Sequence, residues 1–291
     1  MSILNIIRRG LRFLLSCIPE QQKEVTANII QLAPTNLLSG RTVFITGGTS
    51  GIGFAIAQAM LRAGATVCIT GRSEEKLKKA VDSLLSKGEY KNHVFSEVMD
   101  NTQIDSFNFH ITNVLEKLGG KIHILVNNAG ILGGVFGSAT EEEFDKVMDT
   151  NLKGVFFLSQ LVARHMKENH IHGNILNIAS SSSMRPAASA YTLSKQAIKA
   201  LTAGMAKSLI SHRIVVNGLA PGPTATPMLV RDGGSNLYHR YCPLGRYATA
   251  DEIGNMAVIL TSGMGRTVVG SIVYMTGGSG IITYDDMQYE F

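Results

Sequence analysis

The sequence is poor in cysteine, and its few cysteines are badly placed for cross-linking or metal binding. Its 291 residues include only Cys17, Cys68 and Cys242, an odd number with wide spacing and no Cys-x-x-Cys pair. This pattern argues against a disulfide framework and favours a reducing, cytoplasmic setting. The histidines show no His-Glu-x-x-His pattern, and three of them cluster in the polar stretch 165–172. We therefore expect no metal site.

Long apolar runs and a large excess of charge are also missing. No run reaches the roughly 18 apolar residues that a membrane-spanning helix needs. Hydrophobic residues make up 45% of the chain and charged residues only 17%, which excludes disorder for most of its length. The net charge is +5, and Arg8, Arg9 and Arg12 equal more than half of it. Because a nucleic-acid binder would concentrate its basic excess on one face of a domain, we expect no nucleic-acid partner.

Residues 1–40 form an extension that begins with a basic amphipathic helix. On a helical projection one arc holds the apolar side chains Ile3, Leu4, Ile7, Leu11, Leu14, Leu15 and Ile18. The opposite side holds Asn5, Arg8, Arg9, Arg12 and Ser16, and Pro19 ends the helix. Two roles stay open for residues 3–18. They could make peripheral contact with an anionic membrane surface, or pack on a neighbouring subunit or on the chain's own domain.

From residue 41 to 291 apolar runs alternate with helical patterns. The predicted strands are Thr42–Thr46, Thr66–Thr70, Val94–Val98, Ile122–Asn127, Gly173–Ile178, Ile214–Leu219 and Ser271–Met275. The predicted helices include Phe54–Ala63, Glu74–Ser86, Ile104–Leu118, Glu141–Glu168 and Ala190–Leu209. This rhythm predicts the α/β class, as a single doubly wound domain with a seven-stranded parallel sheet and helices on both faces. The Pro- and Gly-rich stretch 222–248 is a candidate substrate cover.

A glycine-rich turn follows the first predicted strand. The run Thr46-Gly47-Gly48-Thr49-Ser50-Gly51-Ile52-Gly53 leads directly into a helical pattern. Glycines at such a turn let the backbone approach a pyrophosphate, and the helix N-terminus favours its negative charge. The position of this turn after the first strand predicts a Rossmann-type dinucleotide site.

The end of the second strand indicates which dinucleotide binds. An acid there would hydrogen-bond the free 2′-hydroxyl of the adenosine ribose of NAD(H). The run Ile69-Thr70-Gly71-Arg72 has an arginine and no acid. A guanidinium at this point suits a 2′-phosphate. We therefore expect NADP(H), with NAD(H) as the less favoured cofactor. The alternative is that Arg72 only caps the loop.

Tyr191 and Lys195 form the most informative pair of side chains. Separated by four positions, they lie on one face of the predicted helix 190–209. A free phenol has a pKa of about 10, and a neighbouring ammonium favours its phenolate form, so the pair is suited to proton transfer near neutral pH. Upstream, a predicted strand ends in four consecutive serines, Ser180, Ser181, Ser182 and Ser183. A hydroxyl at this strand end could bind a substrate carbonyl.

These motifs together resemble the short-chain dehydrogenase/reductase family, in particular its 3-oxoacyl-acyl-carrier-protein reductases. The resemblance runs from Arg41 to Gly280. Besides the turn and the Tyr/Lys pair, it rests on the runs Asn127-Asn128-Ala129-Gly130, Asn151-Leu152-Lys153-Gly154, Asn217-Gly218-Leu219-Ala220-Pro221-Gly222, Pro243-Leu244-Gly245-Arg246 and Gly277-Gly278. Several motifs in family order are far more specific than any one of them.

The resemblance implies a role for each matching residue. Tyr191 would be the general acid in reduction and the base in oxidation, and Lys195 would bind the nicotinamide ribose and lower the pKa of Tyr191. Ser180 would polarise the substrate carbonyl, with Ser181 and Ser182 as alternatives, and Asn151 would hold a water that relays protons. The implied cofactor-binding residues are Gly47, Thr49, Ser50, Gly51, Ile52, Gly53, Arg72, Val98, Asn128, Ala129, Gly130, Tyr191, Lys195, Pro221, Gly222, Thr224 and Thr226.

The chain also departs from the family pattern. Only 11 positions separate Ser180 from Tyr191, which makes the intervening loop short. The acid that usually follows the third strand is Glu97, with Val98 beside it, so we expect an altered contact with the adenine. His123 and Thr276 replace two aspartates of the family pattern. We expect those two changes to affect stability or assembly rather than chemistry.

The expected function is hydride transfer between NADP(H) and a small-molecule carbonyl or secondary alcohol, such as a 3-oxoacyl, steroid-like or small ketone substrate. Relatives form subunit contacts through helices matching 151–168 and 190–209, so the resemblance implies a homodimer or homotetramer. The alternative is a dinucleotide-binding regulator or scaffold that kept the fold without catalysis. Such relatives usually lose the Tyr, Lys or Ser, all of which this chain retains.

Overall fold

The fold is an open α/β sheet with all of its strands parallel. In a computed structural model of the chain, residues 36–86, 90–226 and 236–281 are described. The strands are β1 (Thr42–Ile45), β2 (Thr66–Gly71), β3 (Val94–Val98), β4 (Ile124–Asn127), β5 (Asn174–Ile178), β6 (Val215–Pro221), β7 (Thr224–Ala225), β8 (Ala248–Thr249) and β9 (Ile272–Met275). Seven of them form the main sheet in the order β3-β2-β1-β4-β5-β6-β9. The predicted doubly wound parallel fold is therefore confirmed.

Helices cover both faces of this sheet. They are α1 (Gly51–Arg62), α2 (Glu74–Leu85), α3 (Phe107–Lys117), α4 (Glu141–Met148), α5 (Gly154–Glu168), α6 (Ala190–Leu209) and α7 (Ala250–Thr261). Along β1, Val43 and Ile45 pack toward α1, α2 and α7, whereas Phe44 between them packs toward α3 and α5. All three side chains are fully buried, and each such burial stabilises the fold by about 1.5–3 kcal/mol.

The strand order creates a crevice at the centre of the sheet. The chain winds outward from β1 to β3, then crosses back to place β4 on the other side of β1. Ligands of open α/β sheets bind at such a switch point, beyond the carboxyl ends of the strands. The glycine-rich turn follows β1 and the run Asn127–Gly130 follows β4, so the topology brings both motifs to this crevice.

The predicted helical segment Glu141–Glu168 is confirmed, but it is not a regular α-helix throughout. A π-helical turn, Asp149–Lys153, separates α4 from α5. Such turns widen the helix by one residue per turn and are frequent at functional sites. Here the turn carries Asn151, a predicted catalytic residue.

Helix α7 was not among the predicted helices, although the sequence contains its start signal. Thr249 and Glu252 form a capping box, in which each side chain accepts a hydrogen bond from the other residue's backbone N–H. Gly254 lets α7 approach α1 closely, since a Cβ at this position would lie 2.7 Å from the Ala55 carbonyl oxygen.

His123, which replaces an aspartate of the family pattern, is satisfied without a charge. Its Nδ1 lies 3.2 Å from the Thr42 backbone nitrogen and 2.8 Å from the Thr42 hydroxyl. Burial, together with the positive charge of Arg41, lowers the pKa of His123 to about 4. The ring therefore stays neutral and serves as a hydrogen-bond partner at the amino ends of the strands.

Several predictions concern residues outside the described ranges. The amphipathic helix 3–18 and its docking or membrane role lie there, and so does part of the predicted cover 222–248. The cover's ends do lie in the described part, where β7 pairs with β8. The boundary at residue 40 stays a prediction, although Leu38, just before it, is fully buried in the core. Within the described residues no helix has the length and apolar character to cross a membrane.

Candidate active site

Lys195 is a buried ammonium held close to Tyr191. Both residues lie in the first turns of α6, whose amino end is capped by the Ser189 hydroxyl. The Lys195 Nζ donates a hydrogen bond to the Ile178 carbonyl oxygen at 2.7 Å and lies 5.8 Å from the centroid of the Tyr191 ring. Burial lowers the pKa of Lys195 to about 8. The result is a desolvated positive charge near the Tyr191 ring.

Gly130 lies next to this ammonium and to Asn151. A Cβ at Gly130 would lie 3.5 Å from the Lys195 Nζ and 3.4 Å from the Asn151 Oδ1. The backbone after β4 therefore passes directly beside both polar groups. The role of Gly130 in cofactor binding stays a prediction.

Asn151 uses its amide to clamp the chain after β4. Its Oδ1 accepts a hydrogen bond from the Ile131 N–H at 2.8 Å, and its Nδ2 donates to the Ile131 carbonyl at 2.9 Å. The second Nδ2 hydrogen points to the Ser194 hydroxyl at 3.1 Å. The π-helical turn buries this side chain almost completely. Its predicted role in holding a water stays a prediction.

Ser194 is a residue of the site to which the sequence reasoning assigned no role. It is fully buried, and its hydroxyl accepts from Asn151 and donates to the Tyr191 carbonyl at 2.7 Å. The side chain thus joins the Asn151 clamp to the turn of α6 that carries Tyr191. The only signal in the sequence is its position directly before Lys195.

Ser180 lies at the carboxyl end of β5, as predicted. Its Oγ accepts a hydrogen bond from the Ser182 N–H at 3.1 Å, which leaves the hydroxyl hydrogen available to a carbonyl. The hydroxyl of Ser183, by contrast, donates to the Ser180 carbonyl at 2.7 Å. The geometry therefore favours Ser180 over Ser183, and Ser181 and Ser182 stay as alternatives.

The glycine-rich turn is built for a close approach to a ligand. Gly47 and Gly51 have positive φ values of 67° and 58°, a conformation that glycine adopts without strain. A Cβ at Gly53 would lie 2.3 Å from the Gly47 carbonyl oxygen and from the Asn128 Nδ2. Asn128 in turn donates to the carbonyls of Thr46 and Gly47, at 3.0 and 2.8 Å. The motif after β4 thus holds the shape of the turn after β1.

The amino end of α1 can accept an anion. The Ser50 side chain at this end makes no capping hydrogen bond, and the first turn of α1 contains no acidic residue. Helices α2, α4 and α7 each have a side-chain cap and at least two acids in the first turn. Because its first N–H groups lack a capping side chain, α1 offers the positive end of its dipole to a pyrophosphate. The turn and helix therefore fit a dinucleotide.

Other predicted cofactor residues lie along the same edge of the sheet. Arg72 follows β2 and is exposed. The last residue of β2, Gly71, pairs with Val98 at the end of β3, and Val98 is 45% exposed. At the other end of the crevice, a Cβ on Gly51 would lie 3.6 Å from Thr226. The structure therefore brings two of the predicted cofactor residues, Gly51 and Thr226, next to each other.

Two of the predicted positions have clear structural partners. The Thr224 hydroxyl donates to the Gly222 carbonyl at 2.9 Å, and both carboxylate oxygens of Glu97 are bound by side chains of α3. These α3 partners are His110, Asn113 and Lys117. Glu97 therefore faces α3, and the expected altered contact with adenine stays a prediction. Among the described residues, no cluster of three His, Cys, Asp or Glu side chains could hold a metal ion.

Comparison with known proteins identifies the family. A family model described as short chain dehydrogenase matches residues 41–234. The chain belongs to this family. It is 35% identical over 249 residues to a gluconate 5-dehydrogenase of Gluconobacter oxydans, covering 83% of this chain and 95% of that one. It is 34% identical over 250 residues to a 3alpha-hydroxysteroid dehydrogenase of Mediterraneibacter gnavus, covering 84% and 98%.

A solved structure shows the same fold. The 3-ketoacyl-(acyl-carrier-protein) reductase of Brucella melitensis, complexed with NADH, superposes on this short-chain dehydrogenase with a TM-score of 0.75 and 27% identity, covering 84% of this chain and all of the other. The curated relatives are dehydrogenases and reductases. The chain is therefore an oxidoreductase acting on CH–OH or C=O groups, in a family that uses nicotinamide dinucleotides.

Substituting Gly53 tests the cofactor turn of this short-chain dehydrogenase. In Gly53→Ala the new Cβ would displace Asn128 and the turn that it holds, because both lie within 2.3 Å of it. We expect the Kd for NADPH, measured by fluorescence titration, to rise about tenfold or more, which is about 1.4 kcal/mol. Gly204→Ala is the matched control, since no atom lies near its Cβ. An unchanged Kd in Gly53→Ala would contradict the assignment of the turn.

Substituting Ser194 tests the link between Asn151 and Tyr191. Ser194→Ala leaves a buried amide hydrogen of Asn151 without its acceptor, a loss of about 1–3 kcal/mol. We expect kcat to fall about tenfold or more while the Kd for NADPH stays unchanged. Ser208→Ala, which removes a helix hydroxyl bound only to the Gly204 carbonyl, is the control. Equal kcat values for the two variants would argue against a positioning role.

Proposed function

We propose that the chain transfers a hydride between NADP(H) and a carbonyl or secondary-alcohol substrate, with Tyr191 as the general acid and base. The observation that carries this proposal is the buried ammonium of Lys195, 5.8 Å from the Tyr191 ring centroid. A buried cation is costly unless it is paired, and the hydrogen-bond acceptor of the Lys195 Nζ is the neutral Ile178 carbonyl. Its place beside Tyr191 supports a role in stabilising the phenolate.

The side chains of the site divide the work of proton transfer. In reduction Tyr191 gives its proton to the carbonyl oxygen, and in oxidation its phenolate takes the proton of the alcohol. Lys195 favours the phenolate by its charge, which makes both directions accessible near neutral pH. Ser180 uses its available hydroxyl hydrogen to polarise the carbonyl, and Asn151 keeps the chain beside Gly130 in place.

The cofactor residues proposed are those of the glycine-rich turn, the strand ends and the β6–β7 segment. When bound, the nicotinamide ring supplies or accepts the hydride. Gly47, Gly51 and Gly53 allow a close approach of the pyrophosphate to α1, and Arg72 binds the 2′-phosphate of NADP(H). The Brucella relative was crystallised with NADH, so family membership does not determine the choice. Arg72, in the absence of an acid after β2, favours NADP(H).

Assembly and cellular location also belong to the proposal. We place the enzyme in the cytoplasm as a homodimer or homotetramer. Phe156 and Phe157 on α5 support the assembly, because they are 45% and 37% exposed and lie on a helix predicted to form subunit contacts. A peripheral membrane contact through residues 3–18 stays a prediction. The non-catalytic alternative is less favoured, since Ser180, Tyr191 and Lys195 are all present.

Removing the Tyr191 hydroxyl tests the proposed chemistry. Tyr191→Phe keeps the ring but lacks the transferred proton, so we expect turnover to fall about 10²–10⁴-fold. The Kd for NADPH should stay unchanged. Activity is followed by NADPH absorbance across a panel of ketones, and Tyr90→Phe, a tyrosine on the opposite edge of the sheet, is the control. Turnover of Tyr191→Phe equal to that of the control would contradict the assignment.

Reversing the charge at Arg72 tests the cofactor choice. Arg72→Glu replaces a phosphate-binding cation by an acid that repels the phosphate, so we expect the ratio of NADPH to NADH affinity to fall about tenfold or more. Fluorescence titration with both cofactors measures this ratio. Lys207→Glu makes the same charge change at an exposed site on α6. A wild-type protein that binds NADH more tightly than NADPH would refute the Arg72 argument.

A further inference from the structure

The segment after Gly130 exposes an unusual amount of apolar surface. Leu132, Val135 and Phe136 are 51%, 43% and 68% exposed, although they lie within five positions of each other. No charged residue occurs between residues 131 and 140. Clusters of exposed apolar side chains mark binding surfaces more often than single ones do.

Two residues of this segment are hydrogen-bonded to residues of the proposed catalytic site. At its start, Ile131 is held by the side chain of Asn151 through two hydrogen bonds of 2.8 and 2.9 Å. Further along, the Gly133 carbonyl accepts from the Tyr191 N–H at 3.3 Å. These hydrogen bonds to the backbone of the segment therefore keep its apolar residues close to Asn151 and Tyr191.

Antiparallel pairing fixes the rest of the segment. The Gly134 carbonyl accepts from the Ala190 N–H at 2.8 Å, Val135 pairs with Ser189, and the Phe136 N–H donates to the Ala188 carbonyl at 3.0 Å. Gly134 has a φ of 70°, and a Cβ there would lie 2.6 Å from the Ala190 Cβ. The two consecutive glycines, Gly133 and Gly134, thus allow a close approach that holds the apolar side chains in position before a substrate binds.

Side-chain chemistry in the segment favours one kind of substrate. From residue 131 to 137 no side chain can donate or accept a hydrogen bond. A polyhydroxylated substrate would lose water contacts against this surface without gaining others, which is costly. A hydrocarbon substituent would instead gain from burial, by about 1.5–3 kcal/mol for a side chain the size of Leu or Phe.

We propose that Leu132, Val135 and Phe136 form an apolar wall of the substrate site, and that the substrate carries a hydrocarbon group next to its carbonyl. The proposal rests on the proposed function, since it takes Tyr191 as the proton donor to that carbonyl. The substrate class is therefore an alkyl or alicyclic ketone, or the corresponding alcohol, and not a sugar acid.

Rates with two ketones of opposite character test the preference. We compare kcat/KM of the wild-type enzyme with NADPH for 4-methylcyclohexanone and for 5-keto-D-gluconate, and expect the first to be favoured at least about 100-fold. In Leu132→Ser and Phe136→Ser we expect the KM for 4-methylcyclohexanone to rise about tenfold, with kcat and the Kd for NADPH unchanged. Phe109→Ser, at a 65% exposed site on α3, should match the wild type.

A binding measurement separates this proposal from the proposed function. Calorimetry on Tyr191→Phe saturated with NADPH reports ketone binding without turnover. We then add Leu132→Ser or Phe136→Ser to the Tyr191→Phe variant. Binding of 4-methylcyclohexanone that weakens about tenfold in these double variants supports the wall. This holds even if the wild type reduces neither ketone and the proposed function fails. Tighter binding of 5-keto-D-gluconate, or equal ketone binding in all variants, overturns the wall and leaves the proposed function standing. Loss of the oligomer in size-exclusion chromatography without a change in ketone binding also overturns it, because the segment would then be a subunit contact.

Discussion

A single buried ammonium sets the requirements for the rest of the active site. Lys195 is held inside the protein with a carbonyl oxygen, Ile178 O, as its hydrogen-bond acceptor. A charge in that position is costly unless nearby groups benefit from it. The Tyr191 ring lies 5.8 Å from this ammonium, and in the proposed mechanism its phenolate is the group that the charge stabilises.

A chain of hydrogen bonds connects the segment after β4 to the turn of α6 that carries Tyr191. It runs from Ile131 through Asn151 to Ser194 and ends on the Tyr191 carbonyl. The π-helical turn carries Asn151, the central residue of this chain, and buries its side chain. Hydrogen bonds between Asn151 and Ile131 and from the Tyr191 N–H to the Gly133 carbonyl also hold the segment 131–136 beside Tyr191.

Patterns in single elements predicted the fold well, whereas contacts between distant elements were not predictable. The seven strands follow from apolar runs such as Thr66–Thr70, and the glycine-rich turn follows from the special backbone angles of Gly47 and Gly51. The π-helical turn has no such sequence pattern. Nothing in the sequence around Glu97 indicates that its carboxylate binds side chains of α3. Ser194 was missed for the same reason, since its partner Asn151 lies 43 positions away.

The origin of the hydrogen added to the substrate is the most direct test of the proposed hydride transfer. We would reduce 4-methylcyclohexanone with NADPH that carries deuterium at both C4 positions, in ordinary water, and locate the label in the alcohol by NMR and mass spectrometry. The account predicts one deuterium on the carbinol carbon and ordinary hydrogen on the oxygen, since Tyr191 delivers a proton that exchanges with solvent. A carbinol carbon that carries hydrogen from water would contradict it.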